Sequence, residues 1–458
     1  MRKLHLHIAF AIIVQLVFCN CSELLANQMT YIRLGNGAAA PIQLETQRGA
    51  VVLSNPNNKL FKAFLNNEQW DAFNDQTWFV TTQQGEKLVG SGGVPTSYQG
   101  HSVSLSADGN TLASGGYADN SNQGAVWIFT RSGTLWSQQG TKLIGSGVVG
   151  TPYQGFSVSL SADGNTLASG GGGDNSSKGA VWIFTRTGTS WAQQGTKLVG
   201  SGTVGTAALG WSVSLSADGN TLAIGGIGDN NSKGAVWIFI RSGTSWAQQG
   251  TKLLGADSVG TSQQGISVSL SADGNTLAFG GSTDASNFGA VWIFTRTGTT
   301  WAQQGNKLIA SDAGEAPEEG GSVSLAANGD LLAFGGKGDS GGVGAVWIFA
   351  RSGTTWSQQG TKLTVFPPTT FQGVVALSAN GNTLGVGAQG TDGYIGAVWV
   401  FTRSNGVWTQ QGTKMIGSGY ISSPYQGSSL ALSADGNTLA ESGYLDGYSS
   451  EGAVWVFV

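Results

Sequence analysis

The chain has 458 residues, with 74 Gly, 16 Trp and only 8 Pro, and a formal net charge of −4. Gly is roughly twice its ordinary share, and charged residues, at 10%, are well under half of theirs. With 40% hydrophobic residues this excludes a collagen, a Pro-rich linker, a disordered chain and a basic nucleic-acid binder.

At the start, Arg2 and Lys3 precede an apolar run over residues 8–18. The run is shorter than the ~20 residues a bilayer requires. Followed by Ala26, it predicts a secretory signal peptide over residues 1–26. The chain is then expected to be exported to an extracellular, periplasmic or cell-surface location. A lipid anchor on Cys19 or Cys21 is the minor alternative, and no transmembrane segment is expected in the mature chain. Loss of residues 1–26 would leave His101 as the one histidine and no cysteine. That excludes Cys/His zinc, a disulfide scaffold and a Cys nucleophile, and any Ser-His-Asp triad would have to use His101. Residues 27–77 carry no copy of the repeat described next and stay unassigned, with a strand compatible at 50–53.

From about residue 78 the chain repeats itself. Gly-Ala-Val-Trp begins at Gly124, Gly179, Gly234, Gly289, Gly344, Gly396 and Gly452. Two further strings, SVSLSADGNTLA and QQGTKL in their fullest forms, recur in step with it. Each unit predicts four short antiparallel strands. In the second unit, residues 156–161 alternate apolar and small polar side chains, and Asp163-Gly164 marks a hairpin. A second strand follows over 165–170, and a Gly/Asp/Asn/Ser loop leads to a third at 180–185. That third strand is apolar on both faces and must be covered on both. Residues 191–198 suit a wetter outer edge. The order of pieces also points to a ring. The repeat opens on a fourth strand at 83–88 and ends on a third strand at the carboxyl terminus. The expected fold is therefore an all-β, seven-bladed β-propeller of four-stranded antiparallel blades over residues 78–458. The N-terminal strand would complete the last blade, leaving no free sheet edge.

The strings S-V-S-L-S-A-D-G-N-T-L-A-x-G-G and G-A-V-W-I-F-T-R-S-G-T-x-W-x-Q-Q-G resemble the bacterial FG-GAP repeat family, related to the seven-bladed propeller at the head of integrin α chains. The resemblance covers seven units and implies surface exposure and a binding role. Two departures stand out. The family's Phe-Gly is Gln99-Gly100, Gln154-Gly155 or Leu209-Gly210 here, and its Gly-Ala-Pro is Gly115-Gly116 or Gly225-Gly226. Calcium-binding members also carry several carboxylates in the first hairpin loop. Here that loop holds one, such as Asp108 or Asp218, short of the six to eight oxygens calcium takes. No cofactor is expected, with calcium left open as the ion of the family.

Asp119, Asp174, Asp229, Asp284, Asp339, Asp392 and Asp446 share one repeat position, in the loop between strands two and three. They read either as a ring of carboxylates for cations or a basic partner, or as Asx turns organising Gly-rich loops. His101 stands where other units have Phe156, Trp211, Ile266, Gly321, Val374 and Ser428, which reads as packing. Trp211 breaks the pattern of its unit and is a candidate for a local site. Trp residues recur on strand three (Trp127 through Trp455) and before strand four (Trp136 through Trp408); the second set would suit sugar rings. The acidic stretch 312–319 breaks the charge symmetry and reads mainly as a solvated loop. The two-three and four-one loops are the longer and more variable ones and would share one face. The expectation is a secreted or surface, non-catalytic binding propeller that recognises a protein or glycan through those loops. A lectin using the Trp before strand four is the alternative.

Overall fold

The computed structural model describes residues 82–458 and, as backbone, three strands, β1 (Gln43–Gln47), β2 (Ala50–Ser54) and β3 (Phe61–Phe64). These three form a small antiparallel sheet in the order β1-β2-β3, within the segment the sequence leaves unassigned. The signal-peptide and lipid-anchor expectations fall on residues outside the described ones.

Residues 82–458 form seven antiparallel blades in a ring, as the repeat predicts. Blade one is β4 (Ser102–Leu105), β5 (Thr111–Gly116), β6 (Ala125–Ser132) and β7 (Leu135–Gln138), hydrogen bonded in that order. Blade two repeats it with β8 (Ser157–Leu160), β9 (Thr166–Gly171), β10 (Ala180–Thr187) and β11 (Ser190–Gln193). Burial explains the strand order. Every residue of β9 is buried, as is the first half of β10, whereas β11 alternates half-buried and exposed. Trp182 is fully buried and packs against Ala113, Val126 and Ile128 of blade one. Removing a core indole of this kind costs about 3–5 kcal/mol.

The outermost strand differs from its predicted extent of 191–198. The β11 ladder stops at Gln193, because Gly195 turns the chain with a φ of 71°. Leu198 then bonds back to Val181 at 3.1 and 2.7 Å. The outer edge is thus two short pieces around a left-handed glycine.

Backbone bonds close the ring at the hairpin between strands one and two. Ala107 donates to Ala162, Ala162 to Ala217, Ala217 to Ala272, and Ala272 to Ala327, each at 2.9 Å. Ala327 then donates to Ala379, Ala379 to Ala434, and Ala434 back to Ala107. First-strand serines add a second set: Ser102 Oγ and Ser104 Oγ accept the Val158 and Leu160 amides of the next blade at 3.0 Å. Blade seven has three named strands, ending in β30 (Ala453–Phe457). Along its outer side Gln84 donates to Val456 O and Leu88 to Val454 O, both at 2.7 Å.

The invariant glycine of Gly-Ala-Val-Trp has a steric cause. Gly179 has a φ of 81°, and a Cβ there would stand 2.1 Å from the Leu209 carbonyl oxygen of the next loop. Backbone is on both sides of this contact, so neither can retreat. Gly179→Ala is expected to cost more than ~2 kcal/mol, read as a drop in melting temperature. Gly188→Ala, on an exposed turn with nothing within 4 Å, isolates the φ penalty and should cost less.

Candidate functional site

Each two-three loop makes a left-handed turn. In blade one Asn120, Ser121 and Asn122 have φ of 49°, 58° and 68°. Short polar residues and Gly tolerate this region best, which is why these loops are rich in Asn, Ser and Gly. The loop's backbone then holds the following four-one loop: Tyr153 N donates to Asn122 O at 3.0 Å and Gln154 N to Gln123 O at 3.1 Å. The two loop sets therefore lie together.

The repeated aspartates sit inside this joint. Asp174 Oδ1 accepts the Val149 amide at 2.8 Å, and Oδ2 is paired with Lys197. Asp119, Asp229, Asp284, Asp339 and Asp446 do the same with Lys142, Lys252, Lys307, Lys362 and Lys87. All six carboxylates are buried, and both oxygens of each are spent within the chain. Asp392 is different. The buried place in blade six belongs to Thr391, whose Oγ1 bonds to Thr369 and to Ala388 O. Asp392 is displaced outward by one residue, with 41% of its side chain exposed, and pairs with Lys414. The sequence alignment of Asp392 with the others is corrected accordingly.

The structure brings Trp211 into a group that the sequence reading missed. Its ring lies 4.4 Å from Phe156, which lies 4.3 Å from His101. His101 meets Tyr117 edge-on at 4.7 Å, and Tyr117 meets Tyr98 at 5.3 Å. The series continues through Tyr444, Tyr425 and Tyr394 to Phe371, in steps of 6.1, 5.9, 5.0 and 6.4 Å. Five consecutive blades, six through three, thus contribute an unbroken arc of rings. At the same repeat positions blades three to five carry Ala208, Gln263, Ile266, Gly321 and the Lys337–Glu318 pair. Four rings of the arc, Tyr98, Phe371, Tyr394 and Tyr425, sit on left-handed backbone, with φ of 52°, 58°, 72° and 63°. The position of Tyr98 is left-handed in every unit, at Ala208, Gln263 and Glu318 as well (φ 52°, 53° and 59°), so the turn belongs to the scaffold and only the side chain on it changes. The readable signal was the residue two before the glycine of this loop, aromatic at Tyr98, Tyr153, Phe371 and Tyr425 and not at Ala208, Gln263 and Glu318.

His101 is neutral in this setting. Burial pulls its pKa down, against the raising effect of the bond between Nδ1 and Phe156 O at 2.9 Å. Asp108, in the hairpin, would be pushed up by burial, but bonds from Ser106 and Asn110 and the Arg131 charge hold it below the usual range. It organises its own turn. Among the described residues no three His, Cys, Asp or Glu side chains come together as a metal site would need.

The Trp before strand four are covered. Trp191 donates Nε1 to Gln139 at 2.9 Å, and Arg186 lies 5.4 Å above its ring; Trp246 with Gln194 and Arg241 repeats this. In the acidic stretch, Asp312 accepts from Trp347, Gln358 and the Lys362 amide. Glu319 is fully buried where five other units have Gln and one has Leu209, with both oxygens 3.1–3.2 Å from the Ala310 amide. Burial pushes its carboxyl up to about 8, against that amide and helped by the Asp339 and Asp312 charges. Glu441 in blade seven is also pushed up to about 8 by burial, with Oε2 accepting the Gly427 amide.

No protein-family model and no curated protein matches the chain. Among solved structures, a chain of hydrazine synthase from Kuenenia stuttgartiensis is similar at 14% identity and a TM-score of 0.47, covering 81% of this chain and 97% of that one. No helix among the described residues is long and apolar enough to cross a membrane.

Two outcomes follow for stability. Asp174→Ala strands Lys197 and the Val149 amide and should cost about 3 kcal/mol. Asp392→Ala, at an exposed pair, should cost under ~1 kcal/mol. Denaturation midpoints of the two variants compare them. Between the ordinary carboxyl value of 4.5 and about 8, the unfolded chain has lost the Glu319 proton while the folded chain keeps it, so stability falls as pH rises across that window. Glu319→Gln removes the Glu319 share of this slope and leaves that of Glu441. It is expected to be more stable than the parent by about 1–3 kcal/mol at pH 9, with the gap closing below pH 4.5 in melting curves.

Proposed function

We propose that the chain is an exported, non-catalytic binding propeller of the FG-GAP-like type, which recognises a protein or glycan through the face built by its two-three and four-one loops. The aromatic arc carries this reading. In a chain whose units are otherwise near copies, large rings accumulate on one side of that face. Tyr and Trp give large, rigid, amphipathic contact area at small entropic cost, and Ser, Gly and Asn beside them give adaptable hydrogen bonding. Charged pairs in the loops are ties of the scaffold, and His101 packs among the rings with Nδ1 bonded to the Phe156 carbonyl, which supports binding over catalysis. The alternative, a lectin using the Trp before strand four, has less support, because in five of the six, all but Trp408, the indole N–H is donated internally and the face lies under an Arg side chain.

Labelled chain lacking residues 1–26 should bind intact cells or extracellular matrix. Tyr98→Ala and Trp211→Ala should each weaken that binding about tenfold or more, within the 2 kcal/mol range of interface hot spots. Trp246→Ala should not. Retention in both arc variants, with loss in Trp246→Ala, would reverse the choice between the two readings.

A further inference from the structure

Blade six is where the scaffold abandons its own rule. In the other six units a buried Asp joins the incoming loop to the outer Lys. Here Thr391 holds that place, and the Asp392–Lys414 pair faces outward. Beside the pair lies a cavity of about 190 Å³, lined by Thr369, Thr370, Thr391, Asp392 and Lys414 over Pro367 and Trp399. Pro367, Thr370 and Asp392 are exposed, so the cavity opens to solvent. Sites for drug-sized ligands run to ~300–1,000 Å³; this one takes a single ring rather than a chain.

The lining decides the chemistry. A carboxylate accepts and an ammonium donates, while Thr hydroxyls do both. A charged ligand entering here would meet one like charge in the Asp392–Lys414 pair. A neutral polyol meets no such conflict, because one hydroxyl donates to Asp392 while its neighbour accepts from Lys414. The cavity also borders the exposed end of the aromatic arc. Phe371 and Tyr394 are 36% and 42% exposed, with ring planes 22° apart, and Tyr425 continues the stack at 20° from Tyr394. The stack leaves the exposed parts of Phe371 and Tyr394 as an apolar border beside the cavity, suited to the C–H groups of a sugar.

We infer that the blade-six cavity is a saccharide site, binding one ring of a neutral glycan whose adjoining units lie along Phe371 and Tyr394. The inference rests on the reading of this loop face as the recognition surface, and it commits that surface to neutral carbohydrate.

The test uses the chain lacking residues 1–26 on a printed array of neutral and sialylated oligosaccharides, followed by calorimetry with the neutral oligosaccharide bound most strongly. Neutral glycans are expected to bind. Asp392→Ala and Tyr394→Ala should each raise Kd at least tenfold while the melting temperature stays near that of the parent. Thr391→Asp, which offers Lys414 the buried partner that it has in the other six units and so draws it from Asp392 and the cavity, should abolish binding. A silent array, binding restricted to sialylated glycans, or unchanged affinity in Asp392→Ala would overturn the inference. Cell capture that is lost in Tyr98→Ala alongside a silent array would sink this site and leave the broader reading standing. Glycan binding that depends on Asp392, with cell capture indifferent to Tyr98 and Trp211, would do the reverse.

Discussion

No blade here can exist alone, because its third strand is apolar on both faces. Trp182 and its neighbours need blade one on one side and their own sheet on the other. Seven units that each need a partner on both sides have no stable ends in an open stack, so circular closure relieves all of them together. The alanine circle at the one-two hairpins and the serine bonds between first strands fix the spacing of that closure. The invariant glycine before each third strand lets the next loop come close enough for its backbone to pair with it.

This constraint sorts the sequence into two kinds of residue. Whatever recurs in every unit serves the joints between or within blades: the Asp–Lys ties, the Trp on strand three, the Arg lying on the outer Trp, and the Asx turns of the hairpins. A ligand without sevenfold symmetry gains little from such residues, since each copy offers the same chemistry in seven directions. On the reading proposed above, recognition would belong to the positions where the copies disagree. Those positions cluster: the rings run through blades six, seven, one, two and three, and the displaced aspartate with its cavity sits in blade six.

The fold was legible because its signals were redundant. Three strings with one period, Asp-Gly at the hairpins and a two-sided apolar strand all pointed to the same answer. The Asp–Lys tie was legible too in principle, since the spacing from Asp119 to Lys142 recurs from Asp174 to Lys197, but spacing alone does not say that a loop folds back onto its own outer strand. The aromatic arc was hidden for a different reason. Tyr98 and Tyr117 are far apart in the repeat and meet only because the backbone at Tyr98 is left-handed, a conformation no pattern of side chains announces for a tyrosine. The displacement of Asp392 leaves no trace in composition but is readable as spacing, since Asp392 lies four residues before Gly396 where Asp119 and Asp174 lie five before Gly124 and Gly179.

Charge use in the scaffold shapes what the open face can do. The repeated carboxylates and ammonium groups neutralise one another inside the loops, and the arginines lie over indoles. The arc itself carries no formal charge, with His101 held neutral. Long-range steering speeds association where surfaces of opposite sign approach, and salt suppresses it. A face of stacked rings, hydroxyls and one compensated ion pair has little of that to lose. On the proposed reading its affinity would come from close contact, from dispersion and displaced water at the rings and from hydrogen bonds in the blade-six cavity, so selectivity there would be set by shape and hydroxyl pattern rather than by the sign of the partner.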